Sequence, residues 1–151
     1  RGRPAGILLS RQNLPVFDRT VCAPASGTAK GAYVLKDADN PKAILIATGS
    51  EVQLAVAARE QLEAKGVATR VVSAPCVEWF EEQDSAYRSG VLPTGVPTVS
   101  VEAGLSLGWA KYAQAHVSIE HFGASADFKT LFREFGMTTE NVVATAKQLL
   151  G

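Results

Sequence analysis

The sequence predicts an α/β fold, a mainly parallel sheet with helices on both faces. Three observations predict it. Residues 43–47, Ala-Ile-Leu-Ile-Ala, form an unbroken apolar run, the mark of a strand covered on both sides. Segments with apolar residues on one helical face follow this run and recur to the end of the chain. Strand-like and helix-like stretches alternate, the order that sets parallel strands side by side with crossover helices between them.

Taken in order, the first strand signal is 5–10, Ala-Gly-Ile-Leu-Leu-Ser, read as a buried strand directly behind Arg1-Gly-Arg-Pro. A strand so near the start, with no partner before it, carries the expectation that the chain was cut from something larger. From Gln12 to Gly31 periodicity is lost, and Pro15, Pro24, Gly27 and Gly31 punctuate a stretch that reads as a linker. The domain proper then begins near Ala32, with a short edge strand at 32–36 closed by a turn ending at Pro41. After the apolar strand at 43–47, Thr48-Gly49 leads straight into a helix. Ser50 and Gln53 are spaced as a capping box, Leu54, Ala55, Ala58 and Leu62 share a face, and Gly66 stands at the C-terminal cap.

A strand at 69–73 stops at Pro75, and the aromatic segment 77–80 follows as a short helix. Further strands are expected at 96–101, running out at Glu102-Ala-Gly104, and at 117–120, with a helical fragment at 109–112 between them. Asp127 opens a helix whose Phe128, Leu131, Phe132 and Phe135 are spaced i, i+3, i+4, i+7, ended by Gly136. Thr138 caps the last helix, with Val142, Val143, Ala146, Leu149 and Leu150 facing inward. No internal repeat or low-complexity tract interrupts the pattern.

Composition sets the function classes aside. A chain of 151 residues that is 46% hydrophobic and 20% charged supports one cored domain without disulfides or metals. Fifteen basic and fifteen acidic side chains balance to zero, without the basic excess of a nucleic-acid binder. No apolar run reaches the ~18 to 20 residues of a membrane span. Two cysteines make no disulfide framework and point to a reducing compartment, read as cytoplasmic. The balanced charge and capped helices imply no large apolar patch, so the chain itself is expected to associate weakly at most.

Chemistry-bearing residues are few. Cys22, Cys76, His116 and His121 have no metal-ligand spacing, and the two histidines, five apart, face different ways on either a strand or a helix. No nucleophile elbow is present. Cys76, after Pro75, reads as a cleft thiol or as a small buried hydrophobe. Thr48-Gly49-Ser50-Glu51 reads as an anion-binding turn or as a tight turn that satisfies itself, and it lacks the glycines of a dinucleotide or triphosphate fingerprint. Glu102, His121 and Ser125 lie near strand carboxyl ends, where open sheets bind ligands, or are ordinary solvated side chains. Arg11, delivered at the end of the first strand and followed by Gln12 and Asn13, carries a planar fork suited to a phosphate.

Several stretches together resemble the C-terminal part of transketolases: Leu-Ser-Arg-Gln-Asn-Leu at 9–14, Gly-Ala-Tyr-Val-Leu at 31–35 and Ile-Ala-Thr-Gly-Ser-Glu-Val at 46–52. The likeness continues through Ala-Thr-Arg-Val-Val-Ser at 68–73, Tyr-Arg-Ser-Gly-Val-Leu-Pro at 87–93, Ser-Val-Glu-Ala-Gly at 100–104, Phe-Gly-Ala-Ser-Ala at 122–126 and Phe-Gly-Met-Thr-Thr at 135–139. It spans essentially the whole chain in order. The resemblance implies a small five-stranded, mostly parallel sheet with one antiparallel edge strand. It implies residues 1–14 as the last strand of a preceding pyrimidine-binding domain, 15–31 as a linker and 32–151 as the C-terminal domain.

The same resemblance implies a parent enzyme that moves a two-carbon ketol unit between sugar phosphates in the pentose phosphate pathway, acting as a homodimer. Its thiamine diphosphate and divalent metal, Mg2+ or Ca2+, are held by earlier domains; the family's Gly-Asp-Gly metal motif is absent here. These residues are therefore expected to bind no cofactor and to be inactive alone. The family's role for the motif arginine, contact with the substrate phosphate, falls on Arg11. A dihydroxyacetone synthase domain and a stand-alone anion-binding module stand as alternatives.

Overall fold

The computed structural model describes residues 2, 4 and 6–151. Five strands form one sheet: β1 (Tyr33–Lys36), β2 (Ala43–Ala47), β3 (Thr69–Ser73), β4 (Thr98–Val101) and β5 (Ala115–Val117). Their spatial order is β1-β3-β2-β4-β5. β1 pairs antiparallel with β3 at one edge, and the other three pairings are parallel. The mostly parallel sheet with an antiparallel edge strand is thus present. The unbroken run of β2 explains its place, since all five residues are buried between β3 and β4.

Alternation along the strands feeds two cores. Leu45, Val71, Val99 and Val101 face α1 (Val52–Glu63) and α5 (Thr139–Leu150), whose Ala55, Leu62, Val142 and Ala146 close that side. Ile44, Ile46 and Val72 face the opposite side, closed by Phe80 of α2 (Val77–Glu81), Val91 of α3 (Ser85–Val91) and Trp109. The chain leaves β2 over the first face to reach β3, then returns over the second face to β4 on the other flank of β2. The direction of winding therefore reverses between β2 and β4.

Several local expectations are corrected. Residues 6–10 form no strand, and Ile7, Leu8 and Leu9 are exposed; position 5 lies outside the described residues. A strand needs neighbours for its N–H and C=O groups, and no strand of this sheet pairs with that segment. The stretch 15–31 is not a bare linker. Phe17, Cys22 and Ala23 pack on the first core, the Ala23 N–H donates to the Leu35 carbonyl at 2.9 Å, and Ala25–Lys30 is a 3-10 helix. Val16, Leu107 and Phe122 are also exposed, in addition to the 7–9 run.

The Ser50–Gln53 capping box does not form. A 3-10 turn at Gly49–Glu51 opens the helix, which moves the extended cap position back to Thr48. Ser50 instead donates its hydroxyl to Glu51, and the Gln53 amide donates to the Ser50 carbonyl. The helical fragment sits earlier than expected, as a 3-10 turn at Ser106–Gly108, with 109–112 as turns. The last strand likewise ends at Val117 instead of starting there, because register with β4 pairs Val101 with Val117. α3, which contains Gly90, was not legible as a helix; Asp84 caps it by accepting from the Tyr87 N–H. α4 (Phe128–Glu134) and α5 start where their caps Asp127 and Thr138 stand, although Leu150 is exposed.

Candidate functional site

Parallel strands deliver their loops to one edge, and the crevice at a reversal of winding is the ordinary ligand position in such sheets. Here that position lies beyond β2 and β4 and holds two carboxylates. Glu51 follows β2 in the 3-10 turn and is 5% exposed. Burial pushes its carboxyl up, against the hydroxyl of Ser50 donating to Oε1 at 2.8 Å. Glu102 directly follows β4, with its N–H bonded to the Val117 carbonyl. Its Oε2 is buried and has no hydrogen-bond partner among the described residues. Burial, and then repulsion from Glu51, pushes the Glu102 carboxyl up to about 7.

Arg11 stands elsewhere. It lines a groove of about 740 Å³ with Gln12 and Asn13 on one side and residues 126–129 and Leu131 on the other. Asp127 in that groove is committed to capping α4: Thr130 donates to it through hydroxyl and N–H, holding its carboxyl below the usual range. Lys129 adds a second cation to the wall. The groove is wide and open, and its charge suits an anion's approach.

The other candidates are not drawn together. His121 lies edge-on to the Phe135 ring at 4.6 Å, with Nδ1 2.8 Å from the Phe122 carbonyl. His116 shares a 2.7 Å hydrogen bond with Ser100 across β4 and β5. That pair is no nucleophile, because Ser100 is 1% exposed. Ser125 is exposed. Cys22 is buried, and the half-buried Cys76 thiol lies 3.5 Å from Glu78. Among the described residues no three His, Cys, Asp or Glu side chains come together to hold a metal ion. No helix among the described residues is long and apolar enough to cross a membrane.

Sequence reasoning missed two associations. Glu51 and Glu102 lie fifty-one positions apart, and only the β2–β4 adjacency makes them neighbours. It also missed a cluster around Glu81, whose carboxylate receives Arg88 from α3 and both Lys111 and the Tyr112 hydroxyl from the 109–112 turns.

Comparison with known proteins bears on this geometry. Residues 31–138 match the family model of the transketolase-like TK C-terminal domain. The chain is 53% identical to a transketolase of Mycobacterium leprae over 97% of its own length and 22% of that protein's. It is 52% identical to transketolase 1 of Escherichia coli, covering 97% of the chain and 23% of that protein. Among solved structures, a transketolase of Pichia stipitis in complex with sedoheptulose 7-phosphate superimposes with a TM-score of 0.86 at 38% identity, over 93% of this chain and 20% of that one. A transketolase from Leishmania mexicana gives 0.81 at 47% identity, over 83% of this chain and 18% of that one. The chain thus spans about a fifth of the length of the relatives it matches.

Proposed function

The chain belongs to the transketolase family, as a C-terminal portion of such an enzyme, and from that premise we propose that it serves the transfer of a two-carbon ketol unit between sugar phosphates. Thiamine diphosphate, with Mg2+ or Ca2+, supplies the chemistry of bond cleavage when bound, and is assigned to the domains that precede this one. The parent is read as a cytoplasmic homodimer of the pentose phosphate pathway. Residues 1–14 are assigned to the end of the pyrimidine-binding domain, 15–31 to the connection and 32–151 to the C-terminal domain. The exposure of Ile7, Leu8 and Leu9 supports the first assignment, since three consecutive bare apolar side chains fit a strand without its sheet. The relatives above give no support to the dihydroxyacetone synthase reading.

The chain's own contribution is assigned to Arg11, which binds the phosphate end of the sugar. The observation that carries this is its position: exposed, at the mouth of a groove flanked by amides and a second cation. A guanidinium there makes two parallel charge-assisted bonds to a phosphate. The contact is remote from the bond being broken, so it holds ground state and transition state alike. In the full-length enzyme, Arg11→Ala should raise KM for phosphorylated donors about 30- to 150-fold, equivalent to about 2 to 3 kcal/mol, with kcat little changed. Arg11→Lys should recover part of the loss, supplying charge without the fork. A donor without phosphate should be nearly indifferent; equal losses for both donor types would remove Arg11 from the site.

A further inference from the structure

At the opposite edge of the sheet, the amino ends of β4 and β5 border a separate pocket between α2, α3 and the 109–112 turns. Its volume is about 340 Å³, at the lower end of what holds a small metabolite. Neither Arg11 nor the Glu51–Glu102 pair touches it. Arg88, in the 87–93 stretch that the reading of Arg11 leaves without a task, forms part of its wall.

Charge in this wall is unbalanced. Lys111 Nζ lies 2.6 Å and Arg88 Nη1 3.1 Å from the same oxygen, Oε2 of Glu81. The Tyr112 hydroxyl donates to Oε1 at 2.7 Å. Lys111 foremost, then Tyr112, hold the Glu81 carboxyl below its usual range, so it stays ionised. One carboxylate therefore answers two cations, and among the described residues it is the only acidic side chain lining the pocket. Arg88 Nε is buried and has no partner among the described residues. A buried donor without an acceptor is unfavourable, and a guanidinium is built to serve two oxygens at once. Ser85, Ser89 and Thr94, each with a hydroxyl donor, line the same space.

We propose that this pocket binds a small molecule bearing an oxyanion, a phosphate or a carboxylate, gripped by Arg88 and Lys111. The ligand oxygens supply the second negative charge that the wall lacks, with the three hydroxyls as further donors. Glu81 pre-orients both cations and competes with the ligand for them, which sets an affinity that responds to its removal.

The test is a titration of the 15N-labelled chain with inorganic phosphate, glycerol 3-phosphate and lactate, followed by NMR. Saturable shifts are expected at amides of 85–96 and 111–114, and the probe that produces them distinguishes phosphate from carboxylate. Lys111→Gln, at a side chain 64% exposed, should weaken binding about 5-fold or more, and Arg88→Gln should weaken it further. Glu81→Gln should tighten it several-fold, an effect a purely structural ion cluster does not predict. Arg11→Gln should leave these shifts unchanged, which separates this pocket from the phosphate groove. No saturable shift at 85–96 with any probe up to ~50 mM overturns the proposal. So do shifts indifferent to Lys111→Gln, or binding weakened by Glu81→Gln. If Arg88→Gln does not fold, the Lys111 and Glu81 variants decide.

Discussion

Replacing Glu102 with Gln should make the protein more stable at neutral pH and flatten its stability against pH. The Glu102 carboxyl rises from an ordinary 4.5 to about 7, through burial first and the neighbouring Glu51 second. Such a displacement corresponds to about 3 kcal/mol of penalty on the ionised form, reduced to about 2 kcal/mol because the side chain keeps partial contact with solvent. The sign follows from proton counts. Between 4.5 and about 7 the folded state holds a proton that the unfolded state has released, so stability falls as pH rises through that window. Below it the penalty is absent; above it the penalty is complete. Gln keeps the shape and cannot ionise. Urea unfolding followed by tryptophan fluorescence should therefore show the variant about 2 kcal/mol more stable near pH 8 and close to wild type near pH 4. Parallel stability curves for the two proteins across that range, or a variant less stable near pH 8, would refute the assignment of strain to this carboxyl.

Three further outcomes are accessible to the same chain. Gly31→Ala should destabilise it by about 3 kcal/mol or more in denaturant titration, because φ is +83° there and a Cβ would run into the Cys76 carbonyl and the Phe80 amide. Leu62→Ala, at a side chain with no exposure in the first core, should cost about 2 to 5 kcal/mol by the same measurement. Calorimetric titration with thiamine diphosphate and Mg2+ should give no heat of binding; micromolar affinity would contradict the placement of the cofactor in other domains.

Elements whose pattern is complete within their own span were legible from sequence. β2 needed only five consecutive apolar residues, and α4 and α5 announced their starts through Asp127 and Thr138. What escaped depends on partners remote in sequence. The 7–9 run has strand composition, yet composition supplies no neighbour for its backbone. Ser50 and Gln53 had the right spacing for a cap, but the 3-10 turn at Gly49 shifted the helix start beneath them. β5 was displaced because its span is fixed by pairing with β4 and not by its own residues. Arg11 could be singled out as a candidate by the chemistry of its flanks. The Glu51–Glu102 encounter and the Glu81 cluster could not, since each needs the order of strands or the packing of α2 against α3 to bring its members together.

The packing of the 15–31 stretch bears on how far Arg11 can travel. Phe17 is anchored against the first core, and only six residue steps separate it from Arg11. Fully stretched, such a leash reaches about 20 Å. Arg11 is thus confined to a small volume beside the 126–131 groove even when nothing else holds it. The short tether sets a high effective concentration of the Arg11 guanidinium at that groove, which is what the proposed phosphate contact would draw on. On the role proposed for Arg11, the domain bearing Phe17 would serve as the fixed post near which the substrate's charged end is moored.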